Sequence, residues 1–216
     1  MSNPDSFIEE VSEEVRRDRL YGALRKYGWI GVVAVILIVA GASFNEYRKA
    51  QDKAAAEAFG DALYTALETE DLDTRVTLLE EVQTPDGAAA LTGLITATEL
   101  AGRSDQEAVA ALQALIVNPD TPAIYRDLGR LRLVLEGGEV LSENEQGAAL
   151  DALIQGSGPF RLLALEQRAV FEAENGDTEA AIATLQEVMR SAGASEAMQS
   201  RALQMIVALG GDVAQG

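Results

Sequence analysis

The side chains that could do chemistry in this chain are carboxylates, hydroxyls, lysine and arginine, because its 216 residues include no histidine and no cysteine. That composition excludes a Ser-His-Asp triad, a cysteine nucleophile, a zinc finger and an iron–sulfur site. Carboxylates one or two residues apart could share acid and base roles, but on a helix they point in different directions and are more typical of a solvated face. We therefore predict no catalytic residue and no enzyme activity. The pairs in question are Glu80 with Glu81, Glu143 with Glu145, and Glu172 with Glu174.

Metal and phosphate sites are not indicated either. Glu70, Asp71 and Asp73 could suggest a calcium loop, but the glycine and the closing glutamate of an EF-hand are missing. The glycine pairs 137–138 and 210–211 follow no predicted strand, so they are interpreted as helix ends and not as phosphate loops. No metal and no cofactor is predicted.

The charge of the chain is strongly acidic and unevenly distributed. The 35 acidic and 17 basic side chains give a net charge of −18, which argues against a nucleic-acid partner. Residues 1–53 hold eight acidic and eight basic side chains, whereas residues 54–216 hold 27 acidic and 9 basic ones. The basic residues of the second region are all arginine. This acidity would attract basic partners, and solubility is the alternative explanation.

An uncharged segment over residues 27–45 is long enough to span a lipid bilayer. Its 19 residues cover roughly 28 Å as a helix, and aromatic residues flank it at both ends. More basic residues precede the segment than follow it, which predicts a cytoplasmic N-terminus. Those before it are Arg16, Arg17, Arg19, Arg25 and Lys26, and those after it are Arg48, Lys49 and Lys53.

Two alternatives to an uncleaved anchor remain open. A signal peptide could be cleaved between Ala42 and Ser43, although an acidic leader over residues 1–26 is untypical of one. In either case residues 54–216 would cross the membrane. The segment could also be a core helix of a soluble protein, which is disfavoured because it is apolar on every side.

Beyond residue 53 the sequence alternates apolar helical periodicity with short turn signals and predicts an all-α fold. The pattern forms three helical hairpins and a terminal capping helix. The hairpins start at residues 86, 122 and 159. The spacing between these start points is close to the length of a tetratricopeptide repeat. The hairpins pair residues 86–102 with 105–117, 122–136 with 143–155, and 159–174 with 178–191, and the capping helix covers 195–209.

Small residues recur where the predicted hairpins should pack closely. Ala108, Ala149 and Ala181 open equivalent positions of the second helices, with larger apolar residues four or seven positions later. Tyr125 and Phe160 each open a hairpin. We expect these two aromatic residues to act as core anchors or, alternatively, to line a binding groove.

The predicted organisation has four parts. Residues 1–26 form a cytoplasmic amphipathic segment, 27–45 the transmembrane helix, 46–84 membrane-proximal helices, and 85–216 a tetratricopeptide-like repeat domain. Such a domain is typical of protein–protein interaction.

Four short motifs of the chain are distinctive, namely Tyr47-Arg48-Lys49, Gly87-Ala88-Ala89-Ala90-Leu91, Leu128-Gly129-Arg130-Leu131 and Arg168-Ala169-x5-Asn175-Gly176-Asp177-x3-Ala181. With these motifs the chain resembles the YfgM-type ancillary subunits of the SecYEG translocon. The resemblance implies a bacterial inner-membrane protein with a periplasmic repeat domain and no catalytic residues. It also implies association with SecYEG and with a membrane-anchored periplasmic chaperone of the prolyl-isomerase type. A scaffold or assembly factor for another envelope complex, in cell-wall synthesis or division, is the alternative function.

Overall fold

The structure, a computed structural model, describes residues 4–85 and 87–211, with side chains described from residue 25 onward except at position 27. Over these residues the chain is all-α and contains no strand, which confirms the predicted fold class. The helices are α1 (Pro4–Glu68), α2 (Leu72–Glu81), α3 (Ala89–Ala101), α4 (Asp105–Val117), α5 (Ala123–Glu136), α6 (Glu143–Gln155), α7 (Arg161–Glu174), α8 (Thr178–Arg190) and α9 (Glu196–Ala208).

Helix α1 contains the candidate membrane anchor. Its part from Gly28 to Glu68 includes a window of mean hydropathy 2.0, none of which is buried. Trp29 is 65% exposed and Phe44 63% exposed, and the apolar residues between them are exposed as well. A core helix of a soluble protein would bury one side, so length, composition and exposure favour a membrane anchor.

The helical contacts divide the chain into two units, Met1–Ala58 and Phe59–Gly216. Most side chains of the predicted segment 1–26 lie outside the described ones, so its amphipathic character stays a prediction. Helix α1 ends at Glu68 and α2 begins at Leu72. The predicted boundaries between the four parts stay predictions.

The second unit contains the three predicted hairpins in their predicted order. Helices α3 and α4, α5 and α6, and α7 and α8 form the pairs, and each helix from α2 to α9 packs on the next along the chain. The longer turn of the second hairpin contains a 3₁₀ turn over Gly138–Val140. Contacts between nearest neighbours along the chain are typical of repeat proteins.

The core of this unit is a series of apolar clusters that share helices. The first joins α2, α3 and α4, and the second joins α3, α4 and α5. The third joins α5, α6 and α7, and the fourth joins α7, α8 and α9. Helices α5 and α7 each contribute to two clusters, so two of their sides are covered by neighbouring helices.

The small residues predicted at close approaches are buried as expected. Ala108, Ala149 and Ala181 are exposed by 2%, 8% and 0% respectively. Glycine residues also allow close helix packing around Leu115 of α4. A Cβ atom on Gly93 of α3 would lie 3.2 Å from Leu115 Cδ1, and one on Gly129 of α5 would lie 3.0 Å from Leu115 Cδ2. These glycines let α4 approach both neighbours closely.

Candidate interaction surface

The first helices of the hairpins, α3, α5 and α7, lie next to one another. Arg132 of α5 donates a hydrogen bond of 2.7 Å from Nη1 to the carbonyl oxygen of Leu94 in α3. Ala164 of α7 lies in one apolar cluster with Leu131 and Val134 of α5. Helix α5 therefore contacts α3 directly and shares an apolar cluster with α7.

One side of each first helix is apolar and open. Leu91 is 40% exposed, Ile124 43%, Leu135 55% and Leu163 38%. Half-buried apolar residues follow at helical spacing on the same helices. An open apolar strip of this kind is typical of a surface that binds another protein. We name it the first-helix face and define it by Leu91, Ile95, Ile124, Leu135 and Leu163.

Tyr125 and Phe160 lie half-buried between hairpins. Tyr125 packs against the cluster of α3, α4 and α5, and Phe160 packs against the cluster of α5, α6 and α7. The structure therefore assigns them to different clusters and shows both in core contacts. That either one lines a binding groove stays a prediction.

In two of the carboxylate pairs, Glu143 with Glu145 and Glu172 with Glu174, one member forms hydrogen bonds within the domain. Glu145 closes a capping box at the start of α6, because it accepts a hydrogen bond of 3.0 Å from the backbone N–H of Ser142. Hydrogen bonds from the Ser142 hydroxyl and backbone lower the pKa of Glu145 below its usual value. Glu172 accepts a hydrogen bond of 2.8 Å from the Thr184 hydroxyl. Their neighbours in sequence, Glu143 and Glu174, are exposed.

The acidic segment before α2 also has a structural role. Asp71 is the N-cap of α2 and accepts a hydrogen bond of 2.8 Å from the backbone N–H of Thr74. Hydrogen bonds from the Thr74 hydroxyl and backbone lower the pKa of this carboxyl group. Asp73 forms an ion pair with Arg103. No group of three or more potential metal ligands occurs within the described part of the chain.

The arginines of the helical domain mostly pair within the domain. Arg201 of α9 contacts both carboxylate oxygens of Glu166 in α7, at 3.1 and 2.8 Å, and Glu166 is only 6% exposed. Since these cations are held by internal partners, the surplus carboxylates leave the outer surface negative. Among the described residues, the ion-paired arginines of this domain are Arg75, Arg103, Arg130, Arg132, Arg161, Arg168 and Arg201.

Carboxylates concentrate where each hairpin turns from its first helix to its second, and three of them, Glu99, Glu107 and Glu136, are paired with arginine. We name this region the turn edge and define it by residues 99–107, 136–145 and 172–179. Between the second and third of these segments lies a groove of about 640 Å³. The basic residue of the turn edge is Arg103, and its acidic residues are Glu99, Asp105, Glu107, Glu136, Glu139, Glu143, Glu145, Glu172, Glu174, Asp177 and Glu179.

The opposite edge joins one hairpin to the next and has different chemistry. We name it the connecting edge and define it by residues 118–122 and 155–160. Next to its first segment lies a smaller groove of about 340 Å³, lined largely by alanine, glycine and Leu115. Asp120 is the charged residue among those that line this groove.

Comparisons with known proteins found no match. No family model, no curated protein and no solved structure matches the chain. The function is therefore inferred from the anchor, the first-helix face and the distribution of charge.

Proposed function

We propose that this protein is a membrane-anchored interaction module of the bacterial inner membrane. In this proposal the N-terminus lies in the cytoplasm and the helical domain lies in the periplasm. The domain works as an ancillary subunit of the SecYEG translocon and links the channel to a membrane-anchored periplasmic chaperone or to clients. The observation that carries the proposal is the open apolar first-helix face, on a domain whose chain also holds a candidate membrane anchor.

The chemistry of the domain supports binding as its role. Stacked helical hairpins commonly present surfaces to peptides or partner domains. The carboxylates with the most definite contacts, Asp71, Glu145 and Glu166, cap helices or pair with arginine. The resemblance to YfgM-type subunits supplies the proposed partners, and the structure supplies a surface on which a partner could bind.

The orientation is testable because the natural chain contains no cysteine. Ala192→Cys places a thiol at an exposed position of the helical domain, and Ser2→Cys places one near the N-terminus. In intact spheroplasts a membrane-impermeant maleimide should label the first variant and should label the second only after lysis. The reverse pattern would overturn the proposed orientation.

The partners are testable by photocrosslinking in living cells. A photoreactive amino acid replaces Leu135 or Leu163 on the first-helix face, and the same amino acid replaces Val117, which is 77% exposed on α4, as a matched control. The two test positions should capture translocon subunits and a periplasmic chaperone, and the control position should not. Capture of cell-wall or division proteins instead would favour the scaffold function, and capture of neither group would contradict both.

A further inference from the structure

We propose that the first-helix face binds a segment of a client polypeptide that is apolar and ends in basic residues, with the basic end lying on the turn edge. This inference rests on the proposed function and specifies the client. The first-helix face would bind the apolar part of the segment, and the turn edge would bind its basic end.

The two surfaces are continuous along α7. Leu163, Val170 and Glu174 follow one another at helical spacing, so they lie on the same side of that helix. Leu163 is 38% exposed at one end of this strip. Glu174 is exposed at the other end, where α7 meets the turn edge. Leu163, the half-buried Gln167 and Val170 therefore lead along this side of the helix to a carboxylate.

A carboxylate also follows the exposed apolar residue at the end of α5. Leu135, which is 55% exposed, lies in the last turn of the helix, and the exposed Glu139 follows in the turn to α6. Glu136 between them is paired with Arg132 of the same helix. A ligand that covers Leu135 and continues in the same direction therefore meets Glu139, as a ligand on α7 meets Glu174. Because the arginines near the turn edge are engaged in internal ion pairs, few cations oppose a basic ligand there.

Charge complementarity distinguishes this ligand from other apolar segments. Acidic flanking residues would face like charges on the turn edge, and neutral ones would gain nothing from it. Basic flanking residues would gain attraction that weakens as salt increases. The connecting edge has no comparable carboxylate cluster. The basic end of the segment should therefore lie on the turn edge, and this preference sets the direction in which the segment binds.

The test uses the full-length protein in nanodiscs of zwitterionic lipid, with empty nanodiscs as the reference for binding of peptide to lipid. Three fluorescent peptides share one apolar sequence and end in a pair of lysines, a pair of glutamates or a pair of glutamines. At low salt the lysine peptide should bind about ten-fold more tightly than the glutamate peptide, and this ratio should shrink at high salt.

Matched variants separate the two halves of the surface. Replacing Leu135 and Leu163 with Gln should weaken binding of all three peptides, whereas Val117→Gln should leave binding unchanged. Glu174→Gln should weaken only the lysine peptide, and Asp120→Asn on the connecting edge should not affect it. Far-UV circular dichroism and the melting temperature verify that each variant is folded.

Equal affinity for the lysine and glutamate peptides would overturn the inference, as would an equal loss of binding in the Val117→Gln protein. The outcomes also separate this inference from the proposed function. Translocon crosslinks without discrimination between the peptides would refute the client class alone. Discrimination without translocon or chaperone crosslinks would refute the proposed function and leave the binding preference standing.

Discussion

The turn edge and the connecting edge of the same three hairpins have opposite chemistry. The turn edge is rich in carboxylates and encloses a groove between the second and third hairpins. The groove at the connecting edge is lined by small residues, and the adjoining chain contains Pro119, Pro122 and Pro159. Close backbone packing therefore dominates one edge, and charge dominates the other.

Helix electrostatics explain only part of this asymmetry. Acidic residues in the first turns of α4, α6 and α8 lie near the positive end of the helix dipole and are favourable there. Glu174 stands at the C-terminal end of α7, where no basic residue occupies the last turn. Glu136 at the C-terminal end of α5 is paired with Arg132 of the same helix. A carboxylate at a helix C-terminus is unfavourable for stability. Glu174 is thus better explained by an interaction than by folding.

Leu115→Ala should produce the largest loss of stability, because the residue belongs to the core beside the connecting edge. Leu115 is 7% exposed and lies against both Gly93 and Gly129. Its truncation leaves a cavity and should lower the free energy of unfolding by about 3 kcal/mol. Urea unfolding of the full-length protein, followed by far-UV circular dichroism, measures this loss.

The exposed Val117 is the matched control, and Val117→Ala should change the free energy of unfolding by less than about 0.5 kcal/mol. Similar losses for the two variants would show that the connecting edge does not depend on close packing.

Two glycine substitutions compare the edges directly. Gly129→Val should destabilise the protein by about 2 kcal/mol, because even its Cβ atom would lie 3.0 Å from Leu115 Cδ2. Gly147 lies within α6 near the turn edge, and no atom lies within 4 Å of the position of an added Cβ. Gly147→Ala should therefore stabilise the protein by about 0.5 to 1 kcal/mol. Thermal unfolding of both variants measures the difference, and stabilisation by Gly129→Val would contradict the packing found here.

The hairpins were predictable from sequence, whereas the binding surface was not. Turn residues such as Gly176 and small residues such as Ala181 report local geometry, and the structure confirms both the hairpins and the burial of these alanines. The pairing of Arg201 with Glu166 spans 35 positions and follows from how α9 packs on α7. The first-helix face was missed because Leu135 and Leu131 look alike in sequence, although one is 55% exposed and the other only 6%.

Loss of the capping box at the turn edge should have a smaller effect on stability, and part of this effect should depend on pH. Ser142→Ala should cost about 1 kcal/mol at neutral pH. Because the folded-state pKa of Glu145 lies below its ordinary value of 4.5, its contribution is present above that pH. The contribution is lost as the pH falls through the lower folded-state value, so the difference between wild type and variant should shrink in acid. The remaining difference is the N-cap hydrogen bond from the backbone N–H of Glu145 to the Ser142 hydroxyl, which does not depend on pH. Melting temperatures across this range test the prediction, with Glu143→Gln as a control that removes a neighbouring charge and keeps the box.

The smallest expected effect bears most directly on why the turn edge is acidic. Glu174 and Glu179 are both exposed, one in the last turn of α7 and the other in the first turn of α8. At low salt Glu174→Gln should raise the free energy of unfolding by roughly a few tenths of a kcal/mol, and Glu179→Gln should lower it by a similar amount. High salt should abolish both changes. If Glu174→Gln also weakens binding of the lysine peptide, this carboxylate costs stability and contributes to recognition. A stability loss in Glu174→Gln would instead make the acidity of this edge a feature of folding.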